Sequence, residues 1–153
     1  MKFKKLKIKE FKMFKEKEIC FNEDLTIIAG RNGSGKTTIF NLMKQLYETK
    51  EIKCCSLETE GKKTTDKSEN VFFDKPTDLD AKETMSSLID TLAMRERQNV
   101  QDPFILDCPF SALDEGQTKI LMKLFSNLDH QVIVFHTGEL LDYKADYELV
   151  DNQ

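Results

Sequence analysis

The chain has 153 residues, 39% of them hydrophobic and 33% charged, with three prolines and no tryptophan. That length gives room for one domain with an ordinary core, and the composition excludes collagenous, low-complexity and disulfide-scaffold proteins. No apolar run reaches membrane-spanning length, and the N-terminal lysines precede no hydrophobic segment of signal-peptide size, so a soluble cytoplasmic protein without membrane contact is expected. The net charge of −4 is uneven, because residues 1–18 hold eight lysines against three glutamates. Such a basic end suits nucleic-acid phosphates or acidic partners, and equally a solvated strand face. Cys20, Cys54, Cys55 and Cys108 form no C-x-x-C pair, and with two histidines they complete no zinc pattern; free thiols are expected.

Residues 2–9 approach strand alternation, with Leu6 and Ile8 inward and lysines outward. Residues 11–14 interrupt the pattern, and residues 17–21 predict a second strand, so an antiparallel pair is expected beside the main sheet. Asn22-Glu23-Asp24 is a turn signal. It leads to the buried strand Leu25-Thr26-Ile27-Ile28-Ala29, then Gly30-Arg31-Asn32-Gly33-Ser34-Gly35-Lys36-Thr37, then a helix over 37–46.

That central stretch fits G-x-x-x-x-G-K-[ST], the phosphate-binding P-loop, in its required strand–loop–helix context. Each residue type has a separate task. Glycines let the backbone wrap closely round phosphates so that successive N–H groups point inward. The helix aims the positive end of its dipole at the same anion. Lys36 adds a full charge near the β- and γ-phosphates, and the Thr37 hydroxyl is placed to ligate Mg²⁺. Arg31, Asn32, Gly33, Ser34, Gly35, Lys36, Thr37 and Thr38 are therefore the candidate nucleotide-binding residues.

Further on, residues 48–51 mark a break, residues 52–57 predict a short strand, and residues 60–68 are polar throughout and predict a loop. Residues 71–73 predict a strand that stops before Pro76. The spacing then predicts a helix over 77–97, capped by Thr77 or Asp78, with Ala81, Met85, Leu88, Ile89 and Leu92 on a core-facing stripe. Strands over 103–107, 131–135 and 147–150 and a helix over 115–128 complete an alternation that predicts an α/β domain with a largely parallel sheet. Asp107 closes an apolar strand at the C-terminal end, where open α/β sheets place ligands. It is the candidate second metal ligand beside Thr37.

Two stretches carry a family resemblance. Residues 5–14 and 21–30, running into the P-loop, resemble the N-terminal lobe of the SMC/RecF-like branch of ABC ATPases, which act on chromosomes, in DNA repair and in bacterial DNA-modification defence. Residues 104–139 resemble the C-terminal lobe, with Asp107 as the Walker B acid and Ser111-Ala112-Leu113-Asp114 as the D-loop. Asp107-Cys108-Pro109-Phe110 and residues 130–135 are similar to the ATPase of DNA phosphorothioation systems.

The resemblance implies a P-loop NTPase of ABC-ATPase type, with an antiparallel N-terminal strand pair. The expected organisation is one compact nucleotide-binding domain over 1–153: an N-terminal lobe (1–47), a short connection (48–76) and a C-terminal lobe (77–153). It further implies ATP and Mg²⁺ as cofactors, slow ATP hydrolysis serving DNA repair or defence against foreign DNA, and a homodimer or a partner ATPase or nuclease subunit. Lys36, Asp107 and His136, near the switch-histidine position that a strict alignment gives to Thr137, are the implied catalytic residues. The alternative is a non-hydrolysing ATP-binding switch that regulates a partner.

Several departures accompany it. Residues 48–76 cannot hold the long coiled coil common in the family. The signature segment is replaced by Leu79-Asp80-Ala81-Lys82-Glu83, the glutamate expected after Asp107 is Cys108, and no glutamine lies between Gln45 and Gln98.

Overall fold

The computed structural model describes residues 1–48, 51–61, 71–138 and 143–149. Strands β1 (Lys2–Phe11), β2 (Phe14–Cys20) and β4 (Cys55–Glu60) form an antiparallel sheet in the order β2-β1-β4. Strands β3 (Leu25–Gly30), β5 (Phe72–Asp74), β6 (Phe104–Asp107), β7 (Val132–His136) and β8 (Tyr147–Leu149) form a parallel sheet in the order β5-β6-β7-β3-β8. Helices α1 (Lys36–Tyr47), α2 (Ala81–Arg97) and α3 (Glu115–Ser126) complete the described elements.

The parallel sheet is the middle layer because its strands are apolar on both faces. Ile28, Ile105, Ile133 and Phe135 face α1 and the antiparallel sheet, where Phe3, Leu6, Ile8, Ile39, Phe40 and Met43 meet them. Ile27, Phe104, Leu106, Val132 and Val134 face the other way, onto Leu88 and Leu92 of α2 and Leu121, Met122 and Phe125 of α3. Each such side chain, fully buried, contributes roughly 1.5–3 kcal/mol.

Gln131 ties the two sheets together. Its fully buried amide accepts from Phe3 N at 2.7 Å and donates to Phe3 O and Asn22 O, both at 2.8 Å. In effect it supplies one residue of strand pairing where β1 passes the end of β7.

The expected N-terminal pair is a three-stranded sheet. The third strand begins at Cys55 rather than Ile52, and with Ser56, Glu58 and Glu60 on its outer face it gives little apolar signal beyond Cys55 and Leu57. The second strand begins at Phe14, after a tight turn at Lys12 and Met13 with Lys12 at φ 50°. α2 starts at Ala81, and its cap is Asp80, not Thr77 or Asp78, because the Asp80 carboxylate accepts the Glu83 N–H at 2.8 Å. In its stripe Thr84 and Arg95 are buried while Ile89 is 41% exposed. The loop expected over 60–68 lies outside the described residues beyond Gly61, and Glu60 belongs to β4.

Candidate nucleotide site

Parallel register brings the loop-bearing strand ends level. Ala29 pairs with His136, Phe135 with Asp107, and Leu106 with Asp74. The P-loop, Asp107, His136 and the residue after Asp74 therefore share one edge of the sheet, the C-terminal edge at which α/β folds bind ligands.

Within the loop, Gly33 and Gly35 have φ of 86° and 97°, a region that side chains rarely adopt. Gly35 is constrained a second time, since a Cβ there would lie 2.8 Å from Phe14 Cε2 and 2.9 Å from Met13 Sδ. The β1–β2 turn thus presses directly on the P-loop. α1 opens on Gly35 with no side-chain cap and no acidic residue in its first turn, so the N–H groups there keep their capacity for an anion. Lys36 is buried, and its ammonium donates to Gly30 O at 2.7 Å and Arg31 O at 2.8 Å, which fixes the charge at the mouth of the loop.

Thr37 and Asp107 meet. The Thr37 hydroxyl donates to Asp107 Oδ2 at 3.0 Å, although the residues lie 70 apart in sequence. Asp107 is fully buried, and its second oxygen, Oδ1, has no hydrogen-bond partner among the described residues. A buried, incompletely paired carboxylate beside a hydroxyl is a donor set that fits a hard divalent cation such as Mg²⁺.

A cavity of about 450 Å³ opens over these groups, lined by Asn32, Gly33, Gly35, Lys36, Thr37, Thr38 and His136 of the expected site and by Met13, Lys75, Cys108, Ser111 and Thr137. Arg31 is exposed outside this lining and contributes its carbonyl to Lys36. Ser34 is buried, with its hydroxyl unpaired among the described residues. Among the described residues no carboxylate lines the cavity, and Asp107, bonded to Thr37, is fully buried.

Cys108, where a glutamate is expected, has φ 49° and its Sγ lies 3.6 Å from the Thr137 hydroxyl. Burial pushes the Cys108 thiol up from its ordinary value; the Thr137 hydroxyl opposes this, and the Asp107 carboxylate adds to it. A neutral thiol is a weak acceptor and poorly suited to orient water. His136 packs its ring against Phe110, centroids 5.8 Å apart, so it and Thr137 both reach the cavity wall.

Sequence reasoning missed Lys75. Its ammonium donates to Thr37 Oγ1 at 3.1 Å and lies 3.5 Å from Asp107 Oδ2. The signal was its position after a short strand, but its partner becomes readable only once β5 is known to pair with β6. The contact of Met13 and Phe14 with the P-loop was also missed, since the interruption at 11–14 gave no hint of what it touches.

The sequence profile of the AAA ATPase domain matches residues 1–144. The chain belongs to this ATPase family. No curated protein matches it. Family and geometry agree on an α/β P-loop NTPase, an ATP-binding ATPase domain related to the SMC/RecF-like ATPases. Among the described residues, no helix is long and apolar enough to cross a membrane.

Proposed function

We propose that this AAA ATPase domain is of ABC type, of the SMC/RecF-like branch, and binds ATP with Mg²⁺ as one compact unit over 1–153. Gly33, Gly35 and the start of α1 would receive the phosphates and Lys36 would neutralise them. Thr37 and Asp107 would hold the metal. Bound there, Mg²⁺ would offset charge on the β- and γ-phosphate oxygens. The observation that carries this reading is the 3.0 Å contact of Thr37 with buried Asp107 beneath a cavity walled by Lys36.

Hydrolysis would be slow, well below the ~10 s⁻¹ usual for enzymes, because among the described residues no carboxylate lines the cavity to orient water. The same observation favours a second reading, a switch that binds ATP without turning it over. DNA repair or defence against foreign DNA, in the cytoplasm and with a second copy or a partner ATPase or nuclease subunit, is the setting we propose from the family relation. Two features narrow how that setting would work. Asp80 is committed to capping α2, so a partner's phosphate approaching that helix end would meet a carboxylate. On the basic strand, Lys4 and Lys5 hold Glu60 and Glu18 at 2.7 and 3.0 Å, weak surface pairs that a DNA phosphate would have to replace, while Lys7 and Lys9 are exposed beside them.

Steady-state phosphate release from the wild type and Cys108→Glu, with Asp107→Ala as the blank, tests the reading. Slow wild-type release, raised by Cys108→Glu, supports the ATPase. Wild-type release equal to the blank, with ATP still bound, supports the switch. Fast wild-type turnover sinks the role given to Cys108.

A further inference from the structure

Lys75 occupies an unusual position for a lysine. It follows β5, whose pairing of Asp74 with Leu106 sets Lys75 level with Asp107 on the neighbouring strand. The next residue is Pro76, which disfavours helical backbone at Lys75 and so favours an extended departure from the strand. From there the side chain, 44% exposed, reaches the two groups assigned to the metal, donating to Thr37 Oγ1 and standing 3.5 Å from Asp107 Oδ2.

The physical consequence follows from Asp107, which is fully buried. A buried carboxylate without a counter-charge is strongly disfavoured. Lys75 supplies that charge from within the chain and contacts two oxygens that a divalent cation would ligate. It also lines the cavity together with Lys36, so two ammonium groups flank the place where phosphates would lie.

We propose that Lys75 is a tethered cation of the metal site, which lets ATP bind without Mg²⁺ and makes metal entry compete with a side chain. This rests on the nucleotide-site reading above and deepens it. Lys75 acts as a positioning residue: in the metal-free site it holds Thr37 and Asp107, and on metal binding its ammonium is released toward the cavity.

The test is ATP affinity by calorimetry, in Mg²⁺ and in EDTA, for the wild type, Lys75→Met and Lys36→Ala. The wild type is expected to bind in EDTA within about tenfold of its affinity in Mg²⁺. Lys75→Met should lose tenfold or more in EDTA and clearly less than that in Mg²⁺, with a wild-type circular dichroism spectrum showing that it folds. A charge-assisted hydrogen bond is worth about that factor. Equal metal dependence of Lys75→Met and the wild type overturns the proposal. Equal losses for Lys75→Met in both conditions also overturn it, because Lys75 would then be a phosphate contact or a structural residue. If the wild type binds no ATP in either condition, or Lys36→Ala binds as well as the wild type, the nucleotide-site reading itself fails and this inference falls with it.

Discussion

The three described helices begin in two different ways. α2 and α3 are closed by their own carboxylates: Asp80 accepts the Glu83 N–H, and Asp114 forms a capping box with Gln117 at 2.7 and 3.1 Å. α1 begins on a left-handed glycine, with no side-chain cap and no acid in its first turn. All three leave first-turn N–H groups outside the helical ladder and share the same dipole sense. An anion would be disfavoured at two of them by a built-in negative charge and favoured at the third, where Lys36 adds a positive one. The candidate site is thus set apart as much by capping elsewhere as by glycines here.

The sharpest way to break this contrast is to remove the charge at the open end. Lys36→Ala should lower ATP affinity roughly hundredfold or more, since the ammonium can make several charge-assisted bonds to phosphate. Calorimetry reads it directly, and an unchanged affinity would leave the open helix end without a function. Gly35→Ala should cost about 1–3 kcal/mol of stability, because a side chain at φ 97° is strained and would meet Phe14 and Met13. Denaturant unfolding of this variant checks that figure, with weaker ATP binding expected alongside.

Closing ends should respond oppositely. Asp114→Ala should lose about 1 kcal/mol of stability with its cap while ATP affinity stays unchanged; a parallel loss of ATP binding would mean that α3 is part of the site. The smallest effect is expected for Asp80→Asn, which keeps a good cap and removes the charge. Its stability should move by no more than a few tenths of a kcal/mol. A gain in turnover with rising protein concentration would show that Asp80 repels a partner-held phosphate.

Much of the site was legible because its residues are adjacent in sequence or mark the end of an apolar strand. The P-loop and its flanking elements are local, and Asp107 is announced by Phe104-Ile105-Leu106 before it. Lys75 was not legible, because its role depends on the register between β5 and β6, a fact about two segments about thirty residues apart. Nor was Gln131, a polar residue beside a strand whose three side-chain hydrogen bonds all go to the first 22 residues. Strand β4 escaped in part because a polar edge strand carries little alternation, and its pairing partner lies at the other end of a long connection. Local physics reveals the elements; non-local pairing decides which side chains meet.

The position of β3 within the sheet has a consequence for how the chain is made. Its neighbours on either side are β7 and β8, so the strand that carries the P-loop pairs only with segments made about a hundred residues later. At roughly 5–20 residues per second, Val132 is added on the order of 5–20 s after Gly30. Through that interval Ile27 and Ile28 have no sheet to enter. The nucleotide loop, made about a hundred residues before the strands beside it, is therefore late to take its working shape, and a nascent chain should acquire ATP affinity only as β7 and β8 emerge.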